Sequence, residues 1–172
     1  MEIRQNADAL EIAEIDPFLA ELLRQIPESA QPDGSADAEK RLFSQPADAN
    51  NDLCAEWKLY VEPELRRIFQ SATETVSTDL AQLNGNEKPF ANCTLRIPAK
   101  HAEAWLSALN QARLVIAAKY AFTDGELCDH YRSPIGSRRD LGLFQVNFYG
   151  FLQEFILQHL MDGTSEPAAH GD

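Results

Sequence analysis

Between Trp105 and Tyr120 the chain places apolar residues on almost every side of the helix that its spacing predicts. Ala102, Trp105, Leu106, Leu109, Ala112, Ile116, Ala117 and Tyr120 form one stripe, and Leu114, Val115 and Ala118 add a second face in the later turns. A helix that is apolar nearly all round has to be covered on several sides. The rest of the chain must therefore wrap a rod over residues 99–120, and a length of 172 residues suits one such core.

The wrapping elements announce themselves by capping and periodicity. Asp16-Pro17 is a helix start, with Phe18, Leu19, Leu22, Leu23 and Ile26 at helical spacing until Pro27 stops the run. From about Asn51 a helix carries Leu53, Trp57, Tyr60 and Val61. Pro63 then forces a kink or a new start at Glu62-Pro63-Glu64. The stripe Leu65, Ile68, Phe69, Ala72, Val76, Leu80, Leu83 follows and ends at Asn84-Gly85-Asn86. Leu143 to Met161 forms the last helix. Residues 1–15 read as a hairpin, and Cys93 to Ile97 as a further strand before Pro98 opens the central helix. The expected fold is mainly α: a single-domain helical bundle over 1–161, with about five principal helices around a buried central helix and a small β element. Residues 28–50 are expected as a flexible connector containing a short helix near Asp37–Phe43, Thr123–Gly142 as a polar passage, and 162–172 as a mobile acidic tail.

Charge limits the partners. With 15 basic against 27 acidic residues the net charge is −12, which argues against nucleic acid and against an anionic membrane, both held by surplus Lys and Arg. No apolar run spans a bilayer, and Met1-Glu2-Ile3-Arg4 lacks the stages of a secretory signal, so the cytoplasm is the expected location. Cys54, Cys93 and Cys128 fit no zinc spacing and are expected as small buried residues in a reducing compartment; a thiol or metal site from Cys128 and His130 is the sharper alternative. Neither a metal nor a cofactor is expected. There is no nucleophile elbow, phosphate-cradling loop or His-Glu-x-x-His pair, and His101, His130, His159 and His170 are scattered, so no catalytic residue is assigned.

Three features stand out against this background. Residues 95–139 hold four acids and seven bases inside an otherwise acidic chain, ending in Arg132, Arg138 and Arg139. These arginines either pair with the acidic N-terminal half or form a docking loop for an acidic peptide or phosphate. Asn110 and Arg113 interrupt the apolar rod three residues apart, on a shared face. A buried guanidinium calls for a carboxylate, so an internal clamp that fixes helix register is favoured over an anion pocket, and loss of the charge is expected to destabilise the fold. Finally, Phe144, Phe148, Phe151 and Phe155 share one stripe, while Tyr149, Leu157 and Met161 add apolar area elsewhere. That surplus suits a homodimer seam or a partner groove, with Phe148 and Phe155 as contacts.

Three segments carry a resemblance: Glu56-Trp57-Lys58-Leu59-Tyr60-Val61-Glu62-Pro63-Glu64-Leu65-Arg66, the run from Trp105 to Ile116, and Tyr149-Gly150-Phe151-Leu152-Gln153-Glu154. Their order and spacing resemble an uncharacterised bacterial domain family, best represented in actinobacteria and often encoded beside the adaptor of the Clp protease. The resemblance covers most of residues 10–160, with Asn110 and Arg113 its most distinctive polar positions. It brings no catalytic residue and implies a link to regulated proteolysis. The expected function is a non-catalytic interaction or regulatory protein with a protein partner, accessory to Clp-type proteolysis. The alternative is a binder of a small anionic ligand, or an enzyme, with its site near Arg113.

Overall fold

The computed structural model describes residues 2–6, 8–46, 51–85, 93–128 and 135–161. Strands β1 (Glu2–Asn6), β2 (Ala9–Ile15) and β3 (Cys93–Pro98) pair antiparallel in the order β1-β2-β3. Leu10 lies opposite Ile97, Ile12 opposite Leu95 and Ile15 opposite Cys93. Strict alternation would turn Ile15 away from the face that Leu10 and Ile12 share. A register shift between Ile12 and Ile15, with Glu14 at φ 54°, adds the extra residue, and all three side chains reach the core.

Helix α1 (Pro17–Arg24) starts as its sequence dictates: the Asp16 carboxylate accepts from the N–H groups of Phe18 and Leu19, each at 3.0 Å. Pro27 does not end the helical path. It sits in the first turn of a second short helix, α2 (Ile26–Ser29), where a proline has no intrahelical donor to lose.

The stretch 28–50, expected as a flexible connector, contains the expected short helix and is anchored at a few points: Ala30, Ala38, Leu42 and Phe43 are buried, whereas Ser44, Gln45 and Pro46 are exposed. Helix α3 (Ala36–Leu42) is capped by the Ser35 hydroxyl, and Ala38, Leu42 and Phe43 join Val115 and Ala118 in a second apolar cluster beside Trp57, Leu65 and Phe69. Only a few apolar residues in a polar run make this contact, so composition conceals it; residues 47–50 lie outside the described residues. Helix α4 (Asn51–Glu56) widens into a π turn at Trp57–Val61 and continues as α5 (Glu62–Leu80). The Glu62 N–H reaches Trp57 O across this wider turn, and Pro63, which has no N–H to offer, follows it directly.

The central rod is as expected. After a 3-10 turn at Ala99–His101, α6 (Ala102–Lys119) runs through the molecule with Trp105, Ala108, Leu109 and Ala112 fully covered, wrapped by α2, α3, α5 and the last helix. A short α7 (Asp124–Cys128) precedes α8, which begins at Arg138 rather than Leu143 and runs to Ile156 before a π turn at Leu157–Met161. Ser137 caps α8: its Oγ accepts from Asp140 N at 3.1 Å and donates to Asp140 Oδ2 at 2.8 Å. Gly142 lies within α8 for a packing reason, since a Cβ there would fall about 2.5 Å from the Tyr120 ring.

Of the three cysteines only Cys93 is buried; Cys54 is half-buried and Cys128 exposed, which corrects the expectation that all three are buried. His130 and the tail at 162–172 lie outside the described residues. Among the described residues no helix is long and apolar enough to cross a membrane.

Candidate functional site

The seam between α6 and α8 holds the one buried side-chain polar atom among the described residues that has no hydrogen-bond partner. Arg113 leaves α6 half-buried and lays its guanidinium over Gly150 of α8. A Cβ at Gly150 would stand 3.2 Å from the guanidinium carbon, so the glycine makes the notch in which the group rests. Nη1 donates to the Gln153 side-chain oxygen at 2.5 Å, and Gln153 Nε2 donates to Leu106 O at 3.0 Å, which ties α8 back to α6. Arg113 Nε is buried without a hydrogen-bond partner, the only such side-chain atom among the described residues. Burial pulls the Arg113 pKa down, and no carboxylate pulls it back. The expected carboxylate clamp is therefore corrected: the partner is a neutral amide, and no acid among the described residues lies within ion-pair distance.

Beside the guanidinium opens a cleft of about 570 Å³, lined by Phe144, Phe148, Phe151, Asn147 and Glu154. Phe151 is 47% exposed, whereas Phe148 belongs to the core and is buried. Asn147 Nδ2 is engaged by Leu143 O at 2.9 Å. Glu154 accepts only from Gln158 among the described residues. Phe155, expected as a partner contact, is partly buried and stacks on the His159 ring at 3.8 Å. The ring offered to a visitor is thus Phe151, which the stripe contained without distinguishing it.

The other expected site residues fall apart. Asn110 is exposed on the solvent side of α6 and takes no part in the Arg113 site, because a step of three residues turns a helix about 60° off the starting direction. Arg132 lies outside the described residues. Arg139 is used internally: it pairs with Glu126 at 2.7 Å and stacks over the Phe122 ring at 4.7 Å. Its partner Glu126 also accepts from the Thr123 N–H and hydroxyl; these bonds, the Thr123 backbone first, hold its carboxyl at about 2. Arg138 is exposed and lines a separate cleft of about 960 Å³, where Lys119 stands with Glu21, Glu28 and Asp33. A lining of mixed sign gives that cleft no clear ligand preference. Of the two described arginines, Arg139 is engaged internally and Arg138 lines this cleft.

One polar cluster escaped the sequence reading. Asp79, 2% exposed on α5, accepts from Trp105 Nε1 at 2.9 Å and from His101 Nδ1 at 2.9 Å. The signal was present: Asp79 interrupts the stripe between Val76 and Leu83, and His101 and Trp105 are one helical turn apart. A buried carboxylate that satisfies two donors joins α5 to the start of α6 and acts as an internal brace.

These features define a mainly α single-domain protein with a small antiparallel sheet, whose chemically unfinished surface is the α6–α8 seam. The chain belongs to the family described as Domain of unknown function (DUF2017), whose model matches residues 3–160. No curated protein and no solved structure matches the chain.

Proposed function

We propose that the protein is a non-catalytic interaction protein of regulatory type that docks a protein partner on the α6–α8 seam. The observation that carries this reading is Arg113: a half-buried guanidinium with an orphan Nε–H and, among the described residues, no carboxylate partner, beside a cleft walled by phenylalanine. An unsatisfied buried donor costs roughly 1–3 kcal/mol, and such a cost is at home where a ligand completes the group. Exposed Phe151 and Leu157 on the same helix supply apolar contact area. The resemblance to a bacterial, mostly actinobacterial family encoded beside the Clp adaptor gives the biological setting, an accessory role in regulated proteolysis in the cytoplasm. Arg138 and Arg139 contribute less to docking than Arg113, since Arg139 is already paired.

Purified Clp adaptor and unfoldase, each titrated against the immobilised chain, test this directly. Binding with a dissociation constant of about 10⁻⁶ M, lost in Arg113→Gln, is expected. Binding no stronger than that of an unrelated protein of equal charge overturns the proteolysis link. A second reading, a small anionic ligand at the same guanidinium, rests on the same orphan donor. A homodimer seam on α8 is a third use of Phe151 and Leu157, and sedimentation at several concentrations separates it from the first.

A further inference from the structure

The proposed docking reading leaves open what the seam recognises, and the cleft narrows the answer. Among the described residues its one cation is Arg113, and the same cleft is lined by Glu154, an acid that no described cation engages. Its walls are Phe144, Phe148 and Phe151. Asn147 gives its amide N–H to Leu143 O, which leaves the amide oxygen as an acceptor. One guanidinium beside one carboxylate disfavours a phosphate or a run of acids, since every charge beyond the first meets Glu154 and a molecule of net charge −12. The half-exposed Phe151 leaves the cleft open on one side, unlike the enclosed sites that bury most of a small ligand.

Resting on that docking reading, we infer that the cleft binds a short extended segment of a partner protein carrying a single Asp or Glu next to an aromatic residue, followed by Lys or Arg. The acid takes the terminal guanidinium N–H donors of Arg113 that Gln153 leaves free, and the buried Nε–H next to them reports the change. The aromatic ring packs against Phe151 and Phe144. The partner's cation meets Glu154, in accord with the overall charge of the chain. Gly150 is then a specificity residue: it lets the guanidinium lie low enough against α8 to stay desolvated.

Titration of the ¹⁵N-labelled full chain tests this, read at the Arg113 Nε–H signal, which is assigned by its absence from Arg113→Lys. The probe is the blocked peptide acetyl-Phe-Glu-Lys-amide. Expected is a shift of that signal with a dissociation constant of about 1 mM or below. Replacing the peptide's Glu by Gln should weaken binding tenfold or more, and replacing its Lys by Glu several-fold. Gly150→Ala, which favours the helix and so keeps the fold, should weaken binding at least threefold by pushing the guanidinium outward. Equal binding of the Glu and Gln peptides overturns the inference, as does an Nε–H signal unmoved by any peptide. Tighter binding of 3-phenylpropanoate than of the peptide assigns the cleft to small acids and also overturns it; competition by inorganic phosphate at equal concentration does the same. If the peptide fails while Clp component binding still depends on Arg113, only the ligand class falls and the docking reading stands.

Discussion

Arg66 and Arg113 are the same residue in opposite circumstances. Arg66 lies at the surface where α5 meets α3, bonded to Glu39 at 2.6 Å and Glu62 at 2.7 Å, with its guanidinium 3.9 Å over the Phe43 ring. The carboxylate of Glu39 first, then that of Glu62, raises its pKa. Arg113 is half-buried, bonded to one neutral amide, and burial lowers its pKa. The exposed arginine has every partner it needs where water would have served almost as well. The half-buried one has no carboxylate partner among the described residues, where the lack matters most. Folding stability explains the first arrangement and leaves the second without a reason, which is why the α6–α8 seam and not the α3–α5 latch is read as the working surface.

The largest expected effect in this comparison comes from the ring beneath Arg66. Phe43→Ala removes a buried side chain from the second apolar cluster and should cost about 3–5 kcal/mol, measured by chemical denaturation. A loss below 1 kcal/mol would mean that α3 contributes little to the fold. Arg66→Ala should cost at most about 1 kcal/mol, because exposed ion pairs are screened; a larger loss would show the latch to be a structural keystone and weaken the contrast with Arg113.

How much of this the sequence discloses depends on where the deciding partner lies. The central rod was legible because apolarity on all sides of residues 105–120 admits only a covered helix. The sheet was legible as strands, but the irregularity at Glu14 was not, since nothing local marks where an extra residue enters. Helix α3 was legible as a short helix near Asp37–Phe43, but its packing against α6 was not, because Ala38, Leu42 and Phe43 are few among polar neighbours. The early start of α8 was hidden by Gly136 and Gly142, the second of which serves the Tyr120 ring, distant in sequence. Arg113 could be singled out as an anomaly. Its partner could not, because a glutamine 40 positions away on another helix leaves no trace in spacing. The Asp79 brace was overlooked for the same reason, although an acid inside an apolar stripe was the available hint.

The smallest expected effect sharpens the contrast from a third arginine. Glu126, paired with Arg139, has its carboxyl lowered to about 2, so its unfolded form takes up a proton first. Its contribution is fully present above the ordinary carboxylate range and is lost as pH falls through about 2. A carbon-detected titration should place its midpoint near 2; a midpoint at the ordinary carboxylate value would dissolve the pair.

The central claim is that Arg113 sits in the seam at a cost to the fold. Thermal unfolding of Arg113→Met measures that cost directly, since methionine keeps the apolar stem and removes both the charge and the orphan donor. The account expects a melting temperature equal to or above that of the parent. A fall of about 6 °C or more, corresponding to about 2 kcal/mol in a domain of this size, would show Arg113 to be a structural clamp and contradict it.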